Sequence, residues 1–539
     1  MSRPNPFVLT AGFLLFIGVF GGLPLFKGGL YFDAHEGDSY HLLDILFRME
    51  AGLRPHLDFS TPLGAFSFAP ISAFVKAGVP VGQAILYSQL LVALLLLPSV
   101  VYVAHSRFSG ALAVAFGVVT LGLILSLSFG GTSEGTSISM HYNRWSWAVA
   151  FVAVVLALVP ARGRPLDTVD CALIGIFGAV LALLKITFFV ALAPGILVVL
   201  WMRWQLRGVV VAASAGLVVA LLVTLVYGPS HWAGYLADLR LVSASKVRPS
   251  VGVPLAKIVA SAPFLGATII GVLSYVLMRR LGDNLVSLAL VLLVPGFIYI
   301  TYQNFGNDPL WLWLLAVLLV ALRPEAGRAT LAGQDLRVLM AGAGAVAIAL
   351  SFPSLVSHAT STLRHASYDT AGYRPMLPRM EGHQDIFIRN GRAFNMTAMV
   401  HRDRDLESWA RYSDLAKRAP LPEFQGVTFD HCNWMAGTLA SLETMTDDLS
   451  ADVPKGSQLL VADNLSALWM FGDFEPLQGG APWYYGGGTG FENADFVVIP
   501  KCALVARVRG IIIGDLNASD LPFTLVRENE VLALFKADR

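Results

Sequence analysis

Charge is scarce in this chain: Asp, Glu, Lys and Arg make up 14% of its 539 residues, against roughly 25% in a soluble domain. Water is therefore not its main solvent. The formal net charge is +1 and no block of consecutive like charges occurs, so nucleic acid is not an expected partner. Cysteine is also sparse. Cys171, Cys432 and Cys502 form no CxxC or finger spacing, which removes a structural zinc site. Cys171 lies in an apolar run and is expected to be buried. Cys432 and Cys502 fall together in the C-terminal region and can pair if that region lies in an oxidising compartment. The opening MSRPNP runs into apolar sequence without a small-residue cleavage site, so an uncleaved first helix is expected. No internal repeat is evident.

What is abundant is hydrophobicity, at 55% of residues. Apolar stretches recur to about residue 355, and a spanning helix needs about 20 such residues. Spans are expected near 7–26, 81–104, 109–129, 145–160, 170–184, 186–201, 208–228, 253–278, 284–302, 309–322 and 336–354, about eleven in all. The short stretches on either side of Lys185 form either two spans or a hairpin. Basic residues mark alternate connections, among them Arg3, Arg107, Arg162, Arg203, Arg279, Arg323 and Arg337, which puts the N-terminus in the cytoplasm by the positive-inside rule. The expected fold is an α-helical polytopic membrane domain (1–354) followed by a small α/β domain (355–539) on the outer side. Short β-type runs at 458–463, 495–500 and 531–535 carry the second assignment. The Gly- and aromatic-rich run 481–491 suits a loop that meets a sugar, a membrane surface or only solvent.

The polar chemistry collects in the expected outer connections. The first of these, 27–80, holds Asp33, His35, Glu36, Asp38, His41, Asp44, His56 and Asp58. Such carboxylates act as a general base, bind a divalent cation or are solvated, and the sequence leaves these alternatives open. From Ser39 to Ala51 apolar residues recur with helical spacing and Gly52 supplies a stop. An acidic turn therefore precedes a short helix lying along the membrane. Lys185 sits between two apolar stretches, where a cation needs water or an anion. It either snorkels to the interface or holds a lipid-linked phosphate. His141, Tyr142, Asn143 and Arg144, then Gln303 and Asn304, supply groups suited to sugar hydroxyls. Arg240 and Arg248 lie in a connection basic enough to meet a phosphate.

The first helix, the acidic turn, the juxtamembrane helix and the run Gly52, Pro55, Asp58, Thr61, Pro62 resemble the GT-C glycosyltransferases, such as aminoarabinose transferases and protein O-mannosyltransferases. The resemblance implies a sugar donor linked to polyprenyl phosphate and transfer to a glycolipid or polysaccharide acceptor outside the cytoplasm, in a bacterial inner membrane. It gives Glu36 the place of the catalytic base. The family's acidic pair is Asp-Glu where this chain has His35-Glu36, so Asp38 and Asp33 compete for the missing carboxylate. Lys185, with Arg240 and Arg248, takes the donor phosphate. His35, His56, Asp58, His141, Tyr142, Asn143, Arg144, Gln303 and Asn304 line the substrate site. Rival readings are a flippase or transporter of lipid-linked saccharide, a polysaccharide ligase or polymerase, and a structural membrane subunit. A transporter usually carries midplane charges and matching halves, and the sequence has neither.

Overall fold

The computed structural model describes residues 4–131, 135–163, 165–245, 255–304, 309–400, 407–413, 420–485 and 487–538. Helices of the first part are α1 (Pro6–Phe16), α2 (Glu36–Glu50), α3 (Ala69–Lys76), α4 (Val81–Arg107), α5 (Gly110–Leu125), α6 (His141–Leu158), α7 (Asp167–Leu184), α8 (Ile186–Tyr227), α9 (Ser230–Ser243), α10 (Leu255–Ala260), α11 (Ala262–Leu281), α12 (Asn284–Gln303), α13 (Trp311–Leu322), α14 (Leu336–Leu350) and α15 (Phe352–Ser367). Among the described residues, six helices are long and apolar enough to cross a membrane: Pro6–Lys27, α4, α7, α8, Pro263–Leu281 and α12. A seventh results if α14 and α15, bent by 61° at their junction, count as one.

By length and composition, the helices match only part of the expected eleven. The runs at 109–129 and 309–322 form only the 16-residue α5 and the 12-residue α13. At 1.5 Å per residue, α13 reaches about 18 Å, short of a hydrocarbon core of about 30 Å. The run at 145–160 belongs to α6, whose first turn, His-Tyr-Asn-Arg, is polar. The run at 253–278 divides at Ser261 into α10 and α11. The runs at 186–201 and 208–228 are the two arms of α8, separated by Gln205 with φ 53° and ψ −152°. Both arms pack on α7. Gly178 meets Phe189 of the first arm, and a Cβ on Gly175 would lie 1.9 Å from the Ala212 carbonyl oxygen of the second. Only glycine allows two helix backbones this close.

α15 is inverted relative to a helix in water. Ser354, Ser357, His358, Ser361, Thr362 and His365 are buried, while Phe352, Val356 and Leu363 are exposed. Polar groups inside and apolar groups outside is the arrangement a lipid environment favours.

Strands tie the two parts of the chain together. β1 (Leu30–Phe32), β2 (Tyr373–Pro375) and β3 (Ile386–Arg389) form one sheet, with β3 central, parallel to β1 and antiparallel to β2. α16 (Asn390–Phe394) follows, and β4 (Thr397–Val400) pairs antiparallel with β5 (Cys432–Ala436). The β-type runs read from the sequence become β6 (Leu459–Val461), β7 (Phe496–Pro500) and β9 (Leu532–Ala537), and β8 (Phe523–Glu528) completes a sheet of order β6-β7-β9-β8. Side chains alternate across it. Leu459, Val461 and Val498 share a core with Leu439 and Met445 of α17 (Thr438–Leu449), while Leu460, Val497 and Ile499 pack with Val508 and Ile512 of α18 (Ala506–Asn517). Cys432 and Cys502 form a disulfide across 70 residues with Cα atoms 4.7 Å apart. Cys171 is buried and free.

Candidate functional site

The acidic turn starts where β1 ends. His35 takes a left-handed conformation (φ 67°) and acts as N-cap to α2, so Glu36 and Asp38 lie in the helix's first turn. Carboxylates are favoured there by the helix dipole. α2 does not lie open on a surface. Residues Ser39 to Met49 are buried, because the C-terminal region covers the helix. Tyr40 donates to the Met376 carbonyl at 3.2 Å, Arg48 to the Leu477 carbonyl at 2.8 Å, and Ser466 to Asp44 at 2.9 Å. Asp44 and Arg48, fully buried, pair at 2.5 Å. Trp483, from the aromatic run, packs on His41 at 5.4 Å between ring centroids. That run thus meets the first connection, and Tyr484 is buried.

The three competing carboxylates have different partners. Glu36 receives two hydrogen bonds from Arg392 of α16, at 2.6 and 3.3 Å. Asp33 accepts from the Tyr373 hydroxyl at 2.6 Å and lies 3.5 Å from Arg389. Burial and that carboxylate push the Tyr373 phenol well above its ordinary range. Asp38 accepts a short hydrogen bond from the Ser139 hydroxyl and, among the described residues, has no Arg or Lys within ion-pair distance. The His35 ring lies 3.0 Å from the Ser137 hydroxyl and stacks on Phe129 at 4.3 Å. Burial lowers its pKa, against the opposing pull of Asp38 and Glu36.

Lys185 occupies the break between α7 and α8. Its ammonium donates to Asn304 at 2.5 Å and Asn143 at 3.2 Å and stands 5.4 Å above the Tyr142 ring. Three residues expected to line one site thus gather around the expected cation. Residues 136–143 hold both halves together. Thr136, Ser137 and Ser139 bind the acidic turn, while Tyr142 and Asn143, about one helical turn further on, bind Lys185. Arg144, also buried, donates one nitrogen to the Ser128 and Ser139 carbonyls at 2.8 and 3.2 Å. Its other two nitrogens have no hydrogen-bond partner. A buried guanidinium with spare donors is an open demand for an anion or water.

An apolar cavity of about 390 Å³ runs between α7 and the two arms of α8, from Ala212 and Leu200 to Leu183 and Trp232. Leu183 is two residues from Lys185.

Other expected site residues are engaged elsewhere. His141 contacts the Ser67 carbonyl at 2.9 Å. His56 pairs with Asp238 of α9 at 2.7 Å, both buried, and Asp238 also accepts from the Thr61 amide at 3.0 Å. Asp58 binds Arg54 at 3.0 Å on the surface, Gln303 donates to Tyr299 at 3.0 Å, and Arg240 is exposed. Arg248 lies outside the described residues. Among those residues no group of three or more His, Cys, Asp or Glu side chains is arranged to hold a metal.

Sequence reading missed Ser137, Ser139, Tyr373, Arg389 and Arg392, which hold the acidic turn. Only the polarity of the run 136–144 signalled any of them. It also missed the buried stripe of α15, although Ser354, Ser357, His358, Ser361 and Thr362 recur at helical spacing.

Composition and fold define a helical chain whose apolar helices are consistent with a multi-pass membrane protein, with small sheets mainly in its C-terminal part. No family model, no curated protein and no solved structure matches the chain.

Proposed function

We propose that this protein is an inverting glycosyltransferase that moves a sugar from a polyprenyl-phosphate donor to a glycolipid or polysaccharide acceptor at a membrane surface. The observation that carries it is the 390 Å³ apolar cavity lined by Leu183, two residues before Lys185, together with the ammonium of Lys185, held by Asn143 of the same short stretch whose Ser137 and Ser139 bind His35 and Asp38. An isoprenoid chain fits the cavity between the helices, and its phosphate meets Lys185, with the spare donors of Arg144 next to Asn143. The acceptor hydroxyl gives its proton to Asp38 as its oxygen attacks the anomeric carbon. The bond from that carbon to the phosphate oxygen breaks, and the electron pair leaves with the phosphate, stabilised by the cation.

Asp38 suits the base better than Glu36, because Arg392 occupies the Glu36 carboxylate with two hydrogen bonds, while Asp38 is met by the Ser139 hydroxyl. Glu36 and Arg392 then position the start of α2. The disulfide between Cys432 and Cys502 supports an oxidising, periplasmic side for the C-terminal region, and the basic connections support a cytoplasmic N-terminus.

The test is transfer of labelled sugar from a mixed pool of polyprenyl-phosphate sugars in membranes. Asp38→Asn is expected to lower turnover by about 100-fold or more, and Lys185→Ala to abolish transfer, with folded protein retained. An inactive Glu36→Gln beside an active Asp38→Asn returns the base to Glu36. Wild-type membranes that move no label, but carry labelled lipid across the bilayer, replace the transferase with a flippase.

A further inference from the structure

After residue 368, exposed large apolar side chains are concentrated at one place. Of the nine among the described residues, five belong to the ribbon of β4 and β5 and to the chain leading into it: Phe394, Met396, Met399, Val400 and Met435. All four residues of β4 are exposed, and no strand among the described residues lies on its other edge. Met435 is the most exposed of the five, at 58%. The register shift between Thr397 and Ala398 leaves it without a partner across the ribbon, as the extra residue of a β-bulge. An exposed apolar cluster of this kind marks an interaction surface.

Charge, position and side-chain type say what covers it. From Ile386 to Val400 the chain has two arginines and no Asp or Glu. The Arg389 and Arg392 side chains are 60% and 41% exposed, although they pair with Asp33 and Glu36. Cations beside exposed apolar groups suit a layer of lipid phosphates over acyl chains. Asp385, just ahead of β3, accepts from the Gly82 and Gln83 amides at the start of α4, both at 2.8 Å. Its carbonyl accepts from Leu30, three residues after the apolar helix Pro6–Lys27 ends. β3 therefore starts where two apolar helices end, and from there β3 and α16 carry the chain at most about 20 Å to Phe394. Three of the five side chains are Met, whose unbranched, polarisable chain adapts to an irregular and fluid surface.

We propose that this ribbon rests on the surface of the bilayer at those helix ends. Phe394, Met396, Met399 and Met435 reach the acyl boundary, and Arg389 and Arg392 lie at the level of the lipid phosphates. The free edge of β4 sets the depth. Its backbone amides and carbonyls need water, so the strand stays in the hydrated headgroup layer and only side chains pass below it. The proposal rests on the apolar helices crossing a membrane and not on the transferase reading.

The experiment uses the full chain, one copy per nanodisc of phosphatidylcholine and phosphatidylglycerol, with a nitroxide on Met399→Cys in a Cys171→Ser background. Collisional relaxation by oxygen, which concentrates in lipid, is compared with relaxation by a water-soluble nickel chelate. High oxygen access and low nickel access are expected at position 399, at a depth of about 5–10 Å into the boundary of headgroups and acyl chains. A nitroxide on Leu525→Cys, at an exposed apolar residue of β8, is expected to keep high nickel access. Met396→Cys replaces Met399→Cys if the latter does not elute as a single folded species. High nickel access at the ribbon means that it stands in water and overturns the proposal. Low access to both reagents means that protein covers it, from this chain or a second copy, and overturns it too.

Discussion

Burial holds His231 of α9 neutral, with its pKa lowered to about 4 by desolvation and by the neighbouring His56. Its side chain is fully buried, facing His56, Asp238 and Tyr235. An unfolded chain binds the proton near pH 6.5 and the folded one only near 4, so stability is full above about 6.5 and is lost as pH falls through that interval. The loss is on the order of 3 kcal/mol, softened by Asp238. The melting temperature of the wild type should therefore drop between pH 7 and pH 4.5, and that of His231→Phe should drop less. A parallel fall in both proteins would assign the acid sensitivity to other groups. At the same scale, Gly234 carries α9 past the first connection, where a Cβ would lie 1.9 Å from the His56 carbonyl oxygen. Neither contact is visible in the sequence, because residues 56 and 231–238 meet only after α8 has turned back at Gln205.

Among elements, α7 and α8 form the apolar cavity in which the proposed donor's lipid chain would lie. A Cβ on Gly178 would meet Phe189 at an ordinary 3.7 Å, and Gly178 lines the 390 Å³ cavity. Gly178→Leu should thus fold, while its larger side chain occupies the cavity. The expected result is a KM for a polyprenyl-phosphate donor raised about tenfold, the scale of a few lost methylene contacts, with transfer from a short-chain donor little changed. Equal effects on both donors would detach the cavity from the donor's tail. The acidic turn, α2 and Lys185 were legible because each shows a local sign: a charge cluster, helical spacing, and a cation in an apolar run. Their partners were not, since Arg392 lies 356 residues from Glu36 and no periodicity reaches across such a gap. The span count is matched only in part for a related reason. Hydropathy registers the apolarity of 309–322 but not that its helix has only 12 residues.

For the molecule as a whole, the shared sheet binds the late chain to the early chain, and the disulfide closes a loop within the late chain. Cys432→Ser is expected to cost about 2–5 kcal/mol and to leave Cys502 open to a membrane-impermeant maleimide in spheroplasts whose inner membrane is sealed. Labelling only after permeabilisation would reverse the proposed orientation. β1 has a different consequence. Its Leu30 pairs with Ile386, so during synthesis the strand waits for a partner that emerges 356 residues later, roughly 20–70 s at ribosomal rates. Until then an unpaired strand edge stands beside the acidic turn, and Arg392, Arg389 and Tyr373 have not arrived to hold its carboxylates. A nascent chain therefore carries its acidic turn through most of its synthesis before the residues that hold that turn exist, and a chain cut short within the helical part would lack them altogether.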